Sequence, residues 1–402
     1  MSEQKPKRLA VKLKPAAEKA VKQGHPWVFD KGIAKVNKEA SSGDIAVIFD
    51  QKKNKFLALG LWDAASPIRI KILHQGSPTQ LDSEFFKQKI DQAFQVRQPL
   101  LKTATNSYRF IYGENDGLPG LVADVYAKVL VVKVYSLIWE RYLDLIVDGL
   151  QACAACTTVV LRLSRNVQNH PQKPATWADG LVIRGALENP QIQFQEHGLY
   201  FQANVVHGHK TGYFLDHRHN RKKIGEIAEG KTVLDVFSYA GGFSVHALAG
   251  GAASVMSIDV SKQALDAAAE NARLNIENPA HETWAVDAFE GLRILKKQGR
   301  TFDIVIIDPP SFAKQASEVP TATKTYQQLI ELAIPLVGKD GILLSASCSS
   351  RVDRNTFFEI NERCLLASGR SWKLLEQTFH DIDHPIGFPE GAYLKSAYFI
   401  VN

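Results

Sequence analysis

Residues 232–260, TVLDVFSYAGGFSVHALAGGAASVMSIDV, decide the fold. The apolar run 233–237 reads as a buried strand. Small residues and a glycine pair follow, Ser238-Tyr239-Ala240-Gly241-Gly242. The stretch 243–249 is apolar with helical character and is closed by Gly250-Gly251. A second apolar run, 254–258, stops at Asp259. The unit reads strand, turn, helix, strand, with an acid towards the tip of each strand, Asp235 and Asp259. Glycines let a backbone approach a flat ligand closely, and an acid at the second tip can hold both hydroxyls of a ribose.

A dinucleotide site uses G-x-G-x-x-G to bring backbone N–H groups against a pyrophosphate. Here only one adjacent glycine pair stands in the turn. A nucleoside without phosphates needs less, and S-adenosylmethionine is one. Downstream, an alanine-rich helix is expected over 262–275 and another over 289–295, behind Val286-Asp287-Ala288. A buried strand at 303–307 runs into Asp308-Pro309-Pro310-Ser311-Phe312. A helix is expected at 329–337, then a strand at 341–346 that ends in Ser347-Cys348-Ser349. Acids therefore stand at or just past four strand ends: Asp235, Asp259, Asp287 and Asp308. In an open parallel sheet, ligands bind at the carboxyl ends of the strands. The pattern predicts an α/β domain of Rossmann-like type.

The chain has 402 residues, enough for two or three domains with real cores. No apolar run reaches the length of a membrane span, and the start, MSEQKPKRLA, lacks a signal-peptide core. Four cysteines, Cys153, Cys156, Cys348 and Cys364, are too few for a disulfide framework, so a reducing, cytoplasmic setting is expected. Net charge is +6, but residues 1–80 carry 15 Lys or Arg against 7 Asp or Glu, an excess of +8 that leaves −2 for the rest. A basic N-terminal module on a near-neutral body fits a nucleic-acid grip.

That module, 9–75, reads as β-rich. Leu9, Val11 and Leu13 alternate with Ala10, Lys12 and Lys14, as in an edge strand with one wet face. Further strands are expected at 44–49, 56–61 and 68–73, which suggests a small barrel. Trp27 and Phe29 read as core. A middle segment follows: a helix within 81–105, turns around Asp116-Gly117 and Pro119-Gly120, a strand at 129–135, a helix at 138–153, strands at 157–163 and 181–183, and a loop at 164–180. The C-x-x-C of Cys153 and Cys156 closes a helix and lacks two further ligands, so it reads as packing. A hairpin at 192–201 opens the third segment. After it come four histidines in thirteen residues, from His207 to His219, with no second cluster that would make them a metal site.

The stretch KPAAEKAVKQGHPWVF, 14–29, resembles the opening of a PUA domain, an RNA-binding barrel. GHPWVF, YRFIYGENDGLPGL, HGHKTGYFLDHR and DPPSF with SCS together resemble the bacterial ribosomal RNA large subunit methyltransferase I family, whose members make 5-methylcytosine. The resemblance implies three domains: a PUA-like domain at 1–78, an α+β middle domain at 79–190 and a class I methyltransferase domain at 191–402. It implies S-adenosylmethionine as cofactor, surrounded by Gly212, Tyr213, Phe214, Asp216, Asp235, Phe237, Ser238, Tyr239, Gly241, Asp259, Asp287 and Asp308. No metal is expected. The implied partner is large-subunit ribosomal RNA, with a homodimer left open and no membrane. Nop2/Sun-type cytosine-C5 enzymes carry a second cysteine in a D-x-P-C motif; this chain lacks it, and Pro310 is read in its place.

Cytosine C5 is a poor nucleophile, and a thiolate that adds at C6 makes an enamine whose C5 can attack a methyl sulfonium. Cys348 is the cysteine placed at the sheet's ligand edge. Asp308 is placed to donate to, or hydrogen-bond at, N3 of the base. Carbonyls around Pro309 and Pro310 can accept from its amine, and Phe312 can stack on a flipped base. Two rivals stay open: methylation of a ring nitrogen or exocyclic amine, which needs no cysteine, and an RNA-binding assembly protein without catalysis. A dehydrogenase is disfavoured by the missing phosphate fingerprint.

Overall fold

Seven strands build the sheet that the opening stretch predicts, in a computed structural model that describes residues 6–402. They belong to the second of two units, which comprises Gln195–Gln202, Phe214–Asp381 and Ala392–Asn402. The strand order is His281–Ala285, Ser254–Asp259, Thr232–Val236, Phe302–Ile307, Val337–Ser347, Lys395–Val401, Trp372–Thr378. The first five run parallel, and Lys395–Val401 runs antiparallel to both neighbours. Val233, Leu234, Val236, Ile304, Val305, Ile306 and Leu343 have no exposed surface. Covered on both faces, a parallel strand reads as a continuous apolar run rather than an alternation, and for that reason these strands stand out in the sequence. The chain winds outward in one direction from Thr232–Val236 and then in the other from Phe302–Ile307. Such a switch point opens a crevice at the carboxyl ends of the strands.

Differences from expectation lie at the margins of the sheet. The helix expected at 329–337 runs instead over Val319–Ala333. Pro335, inside the single turn Ile334–Leu336, has no N–H to continue it, and Val337 already begins the next strand. Strand His281–Ala285 ends just before Asp287, as expected, whereas Trp372–Thr378 and Lys395–Val401 are strands beyond those expected.

The first unit holds the residues up to Phe194 together with Ala203–Tyr213 and Ile382–Gly391. Its six-stranded sheet has the order Trp27–Phe29, Ile68–Gln75, Phe56–Trp62, Ile45–Phe49, Arg8–Leu13, Ile33–Val36. The two outermost strands are joined by the three-residue turn Asp30–Gly32, so the sheet must curl upon itself, as in a small barrel. Arg8–Leu13, expected at an edge, lies inside the sheet between Ile33–Val36 and Ile45–Phe49. Its alternation records one wet face, not an unpaired side. Phe29, expected in the core, is 49% exposed. Trp27 is half-buried, with its indole N–H donating to Glu114 at 2.9 Å and its ring edge-on to Phe388.

A five-stranded sheet follows, in the order Leu181–Arg184, Thr158–Leu163, Val129–Val134, Leu121–Tyr126, Ser107–Tyr112, with helices Ser83–Arg97 and Leu143–Ala154. The second helix starts five residues later than expected, after the turn Leu137–Trp139, and the loop at 164–180 contains the short helix Arg165–Gln168. Ile45, Leu59, Leu61 and Leu73 of the barrel share one core with Phe85, Phe86, Phe110 and Trp139. Strands Gln191–Glu196 and Leu199–Asn204 form the hairpin. Among the described residues no helix is long and apolar enough to cross a membrane.

Candidate active site

The turn after Thr232–Val236 holds left-handed backbone at three of its residues. Phe237, Tyr239 and Gly241 all take positive φ, 65°, 48° and 75°. Non-glycine residues hold such angles only where their surroundings fix them, and such angles cluster at functional sites. Here backbone bonds supply the fixing: Phe237 N–H and Ser238 N–H both donate to Ile258 O, and Gly241 N–H donates to Ser238 O. Asp259 buttresses the turn, accepting from Tyr239 N–H at 3.0 Å and from Ser261 N–H at 2.9 Å.

Asp235 is buried at 1% exposure beneath this turn. Its Oδ2 accepts from the Ser244 N–H and hydroxyl, at 3.1 and 2.6 Å. Its Oδ1 and the Ser238 hydroxyl are buried without a hydrogen-bond partner. Both atoms are therefore able to hydrogen-bond a polar group brought against this turn. Burial raises the Asp235 carboxyl to about 7, opposed by the Ser244 hydrogen bond and reinforced by the charge of Asp308. Asp287 is exposed and caps helix Ala288–Lys297 through Glu290 N–H. Phe214, 40% exposed, meets Tyr239 edge-on at 5.1 Å. Asp216 is buried and accepts from Tyr393 OH at 2.7 Å. Gly212 and Tyr213 belong to the other unit, where Tyr213 N–H donates to Tyr126 OH.

The two residues expected to carry the chemistry stand at the ends of two neighbouring strands. Asp308 follows Phe302–Ile307, and Cys348 follows Val337–Ser347. The Cys348 thiol lies 3.8 Å from Asp308 Oδ1 and 3.8 Å from His217 Nε2, and His217 Nε2 lies 3.3 Å from Asp308 Oδ1. Burial pushes the Cys348 thiol well above its usual 9.0; the charges of Asp308 and Asp216 add to this, and Lys395 opposes it. Lys395, 2% exposed, is drawn down to about 8 by burial. Its ammonium donates to Val352 O at 2.6 Å and to Ser349 O, which pins the loop that carries Cys348.

Pro309 is buried and Pro310 exposed. Phe312 packs edge-on against Tyr326 at 4.9 Å, and Tyr326 OH bonds to Ser347 Oγ. Ser311, not Pro310, stands where the D-x-P-C motif has its cysteine, since Pro310 aligns with the motif's own proline, and the Ser311 hydroxyl donates to Ala313 O. Two site members escaped the sequence reading. His217 stood among four histidines with nothing to single it out, and Lys395 lies on a late strand. The remaining cysteines stand apart: Cys153 donates to Asp91, Cys156 is buried in the first unit, and Cys364 is buried in helix Arg354–Ala367. A cavity of about 460 Å³ in the first unit is lined by Asp63, Lys71, Glu114, Tyr135 and His170, among others.

More than half of the chain matches the S-adenosylmethionine-dependent methyltransferases. Residues 115–385 match the family described in those words, and residues 11–75 match a PUA-like domain. Two solved structures share the fold over 98% of this chain and 100% of their own. They are SMU.776, a methyltransferase candidate complexed with SAH (TM-score 0.83, 22% identity), and a SAM-dependent methyltransferase candidate from Streptococcus mutans (0.82, 21%). Ribosomal RNA large subunit methyltransferase of Deinococcus radiodurans is 41% identical over 397 residues, 97% of each chain. Ribosomal RNA large subunit methyltransferase I of Escherichia coli O139:H28 is 35% identical, over 95% of this chain and 97% of that one. This chain belongs to the ribosomal RNA large subunit methyltransferase I family.

Proposed function

We propose that this protein methylates C5 of a cytosine in large-subunit ribosomal RNA, with Cys348 as covalent nucleophile. The observation that carries the reading is the 3.8 Å approach of the Cys348 thiol to the Asp308 carboxylate at adjacent strand ends. Methylation of an amine has no use for a thiol there, whereas C5 chemistry needs one.

S-adenosylmethionine supplies an electrophilic methyl group. The residues present fit it: Asp235 and Ser238 offer buried polar atoms that lack a partner beside the left-handed turn Phe237–Gly241, and the Asp259 carboxylate that buttresses this turn is the one proposed to accept from the ribose hydroxyls. Because burial keeps Cys348 protonated, the thiol must shed its proton as it attacks. Asp308 is the nearest carboxylate, and the same carboxyl can pass that proton to N3 of the base. Carbonyls of the Pro309-Pro310 turn accept from the cytosine amine, and Phe312, braced by Tyr326, stacks on the base. The basic surface of the N-terminal barrel holds the RNA.

The test is Cys348→Ala. It should bind cofactor and RNA as wild type does and transfer no methyl group, and RNA carrying 5-fluorocytosine should trap wild type as a denaturation-resistant adduct at Cys348. Methyl transfer by Cys348→Ala, or an adduct at another residue, would replace this reading with amine methylation.

A further inference from the structure

His217 is 3% exposed and sits between the two reactive groups, its ring against Phe243 at 5.5 Å. Its Nδ1 faces Asn220 Nδ2 at 3.0 Å. The orientation of that amide is set on its other side. Asn220 Oδ1 accepts from Thr378 Oγ1 at 2.7 Å and from Tyr398 OH at 3.0 Å, so the N–H₂ end must face the imidazole. An amide N–H can only donate, so Nδ1 is an acceptor. The ring hydrogen therefore lies on Nε2, towards Asp308 Oδ1 at 3.3 Å and Cys348 Sγ at 3.8 Å.

The charged and titratable groups around the ring are Asp308, Cys348, Asp216 and Arg221, with His219 nearby in the chain. Burial alone would hold the imidazole neutral, but the charge and hydrogen bond of Asp308 override it and raise its pKa. Both protonation states carry a hydrogen on Nε2, so the donor to Asp308 survives either way.

We infer that His217 is a positioning residue for thiol addition: its Nε2–H, fixed by Asn220, holds Asp308 Oδ1 where it receives the Cys348 proton. This inference rests on the cytosine-C5 reading. In the step it serves, the S–H bond breaks and its proton goes to the Asp308 carboxylate. The sulfur electron pair forms the S–C6 bond. The C5=C6 electrons reorganise through the ring to N3, which takes the proton from Asp308. Thiol and base are consumed and one neutral adduct is formed; Asp308 ends as it began. The hydrogen on Nε2 also faces the sulfur and can stabilise negative charge as it develops there.

The experiment measures single-turnover adduct formation between the full-length enzyme and RNA carrying 5-fluorocytosine, with cofactor affinity measured by calorimetry as a check on the folded state. His217→Leu fills the space and removes the donor, and His217→Ala is a second donorless variant. Both should slow adduct formation about 10- to 100-fold, the scale of one lost hydrogen bond to a charged group. His217→Gln restores a donor on a side chain of similar reach and should recover the rate to within about fivefold of wild type.

Wild-type rates in the donorless variants would overturn the inference. So would an equal loss in His217→Gln, which would mean that the ring matters for packing alone. His217, Asp308 and Cys348 place donor atoms within 4.8 Å of one another, and wild-type adduct formation abolished by EDTA would assign them to a metal instead. Absence of any adduct in chelator-free wild type would fell the cytosine-C5 reading itself, an outcome distinct from the variant pattern.

Discussion

Asp235 carries two demands that conflict. Its Oδ2 is held by Ser244, while its Oδ1 is buried without a partner. The carboxyl therefore keeps its proton up to about 7, against an ordinary 3.8. The sign follows from proton counting. Between those two values the folded protein binds a proton that the unfolded chain has released. This group's contribution to stability is thus fully present below about pH 4 and is lost as pH rises through 7. Asp235→Asn cannot ionise, so the melting temperature of the ligand-free variant should fall less than that of wild type between about pH 5 and pH 8. Parallel pH profiles for the two proteins would show that Asp235 is ionised throughout and already paired.

At the scale of elements, the turn between Thr232–Val236 and Gly242–Ala249 carries the tightest requirement. A Cβ on Gly241 would lie 2.7 Å from the Cβ of Ala268, which is fully buried on helix Lys262–Arg273. At φ 75° a side chain is strained in any case. Gly241→Ala should therefore cost about 2–4 kcal/mol, from overpacking together with left-handed backbone. Urea unfolding reads that directly, and a midpoint equal to wild type would mean that the two helices part at no cost.

The same elements show what the sequence displays and what it hides. Strands covered on both faces, such as Phe302–Ile307, are unbroken apolar runs with an acid at the tip, and the pattern can be read without a structure. His281–Ala285 ends the sheet with three of its five residues exposed, so only Asp287 beyond it marks its place, and Trp372–Thr378 is mostly exposed at the other end. Neither carries a run to notice. His217 became a site residue only through partners 91 and 131 positions away in the chain, Asp308 and Cys348, a convergence that no local spacing encodes.

At the scale of the molecule, the excess of +8 in residues 1–80 includes Lys31, Lys35, Lys52 and Lys53, all of them exposed on the barrel. Removing the barrel is a poor way to test its grip on RNA. Ile45, Leu59, Leu61 and Leu73 are part of a core that also contains Phe85 and Phe86, and deletion would strip that core. Changing those four lysines to glutamine leaves the core untouched and removes only charge. Each phosphate that goes unneutralised should make the slope of log affinity against log salt less negative by about 0.7 for single strands or 0.9 for duplex. The quadruple variant should therefore show a slope reduced in magnitude by about 1–3, depending on how many of the four lysines pair with phosphate, and a matching loss of affinity at low salt. S-adenosylmethionine affinity should not change, because Asp235 and Ser238, proposed to hold the cofactor, belong to the other unit. RNA titrations across a salt series measure the slope, and one identical to wild type would mean that these lysines are merely solvated and that the grip on RNA lies on another face.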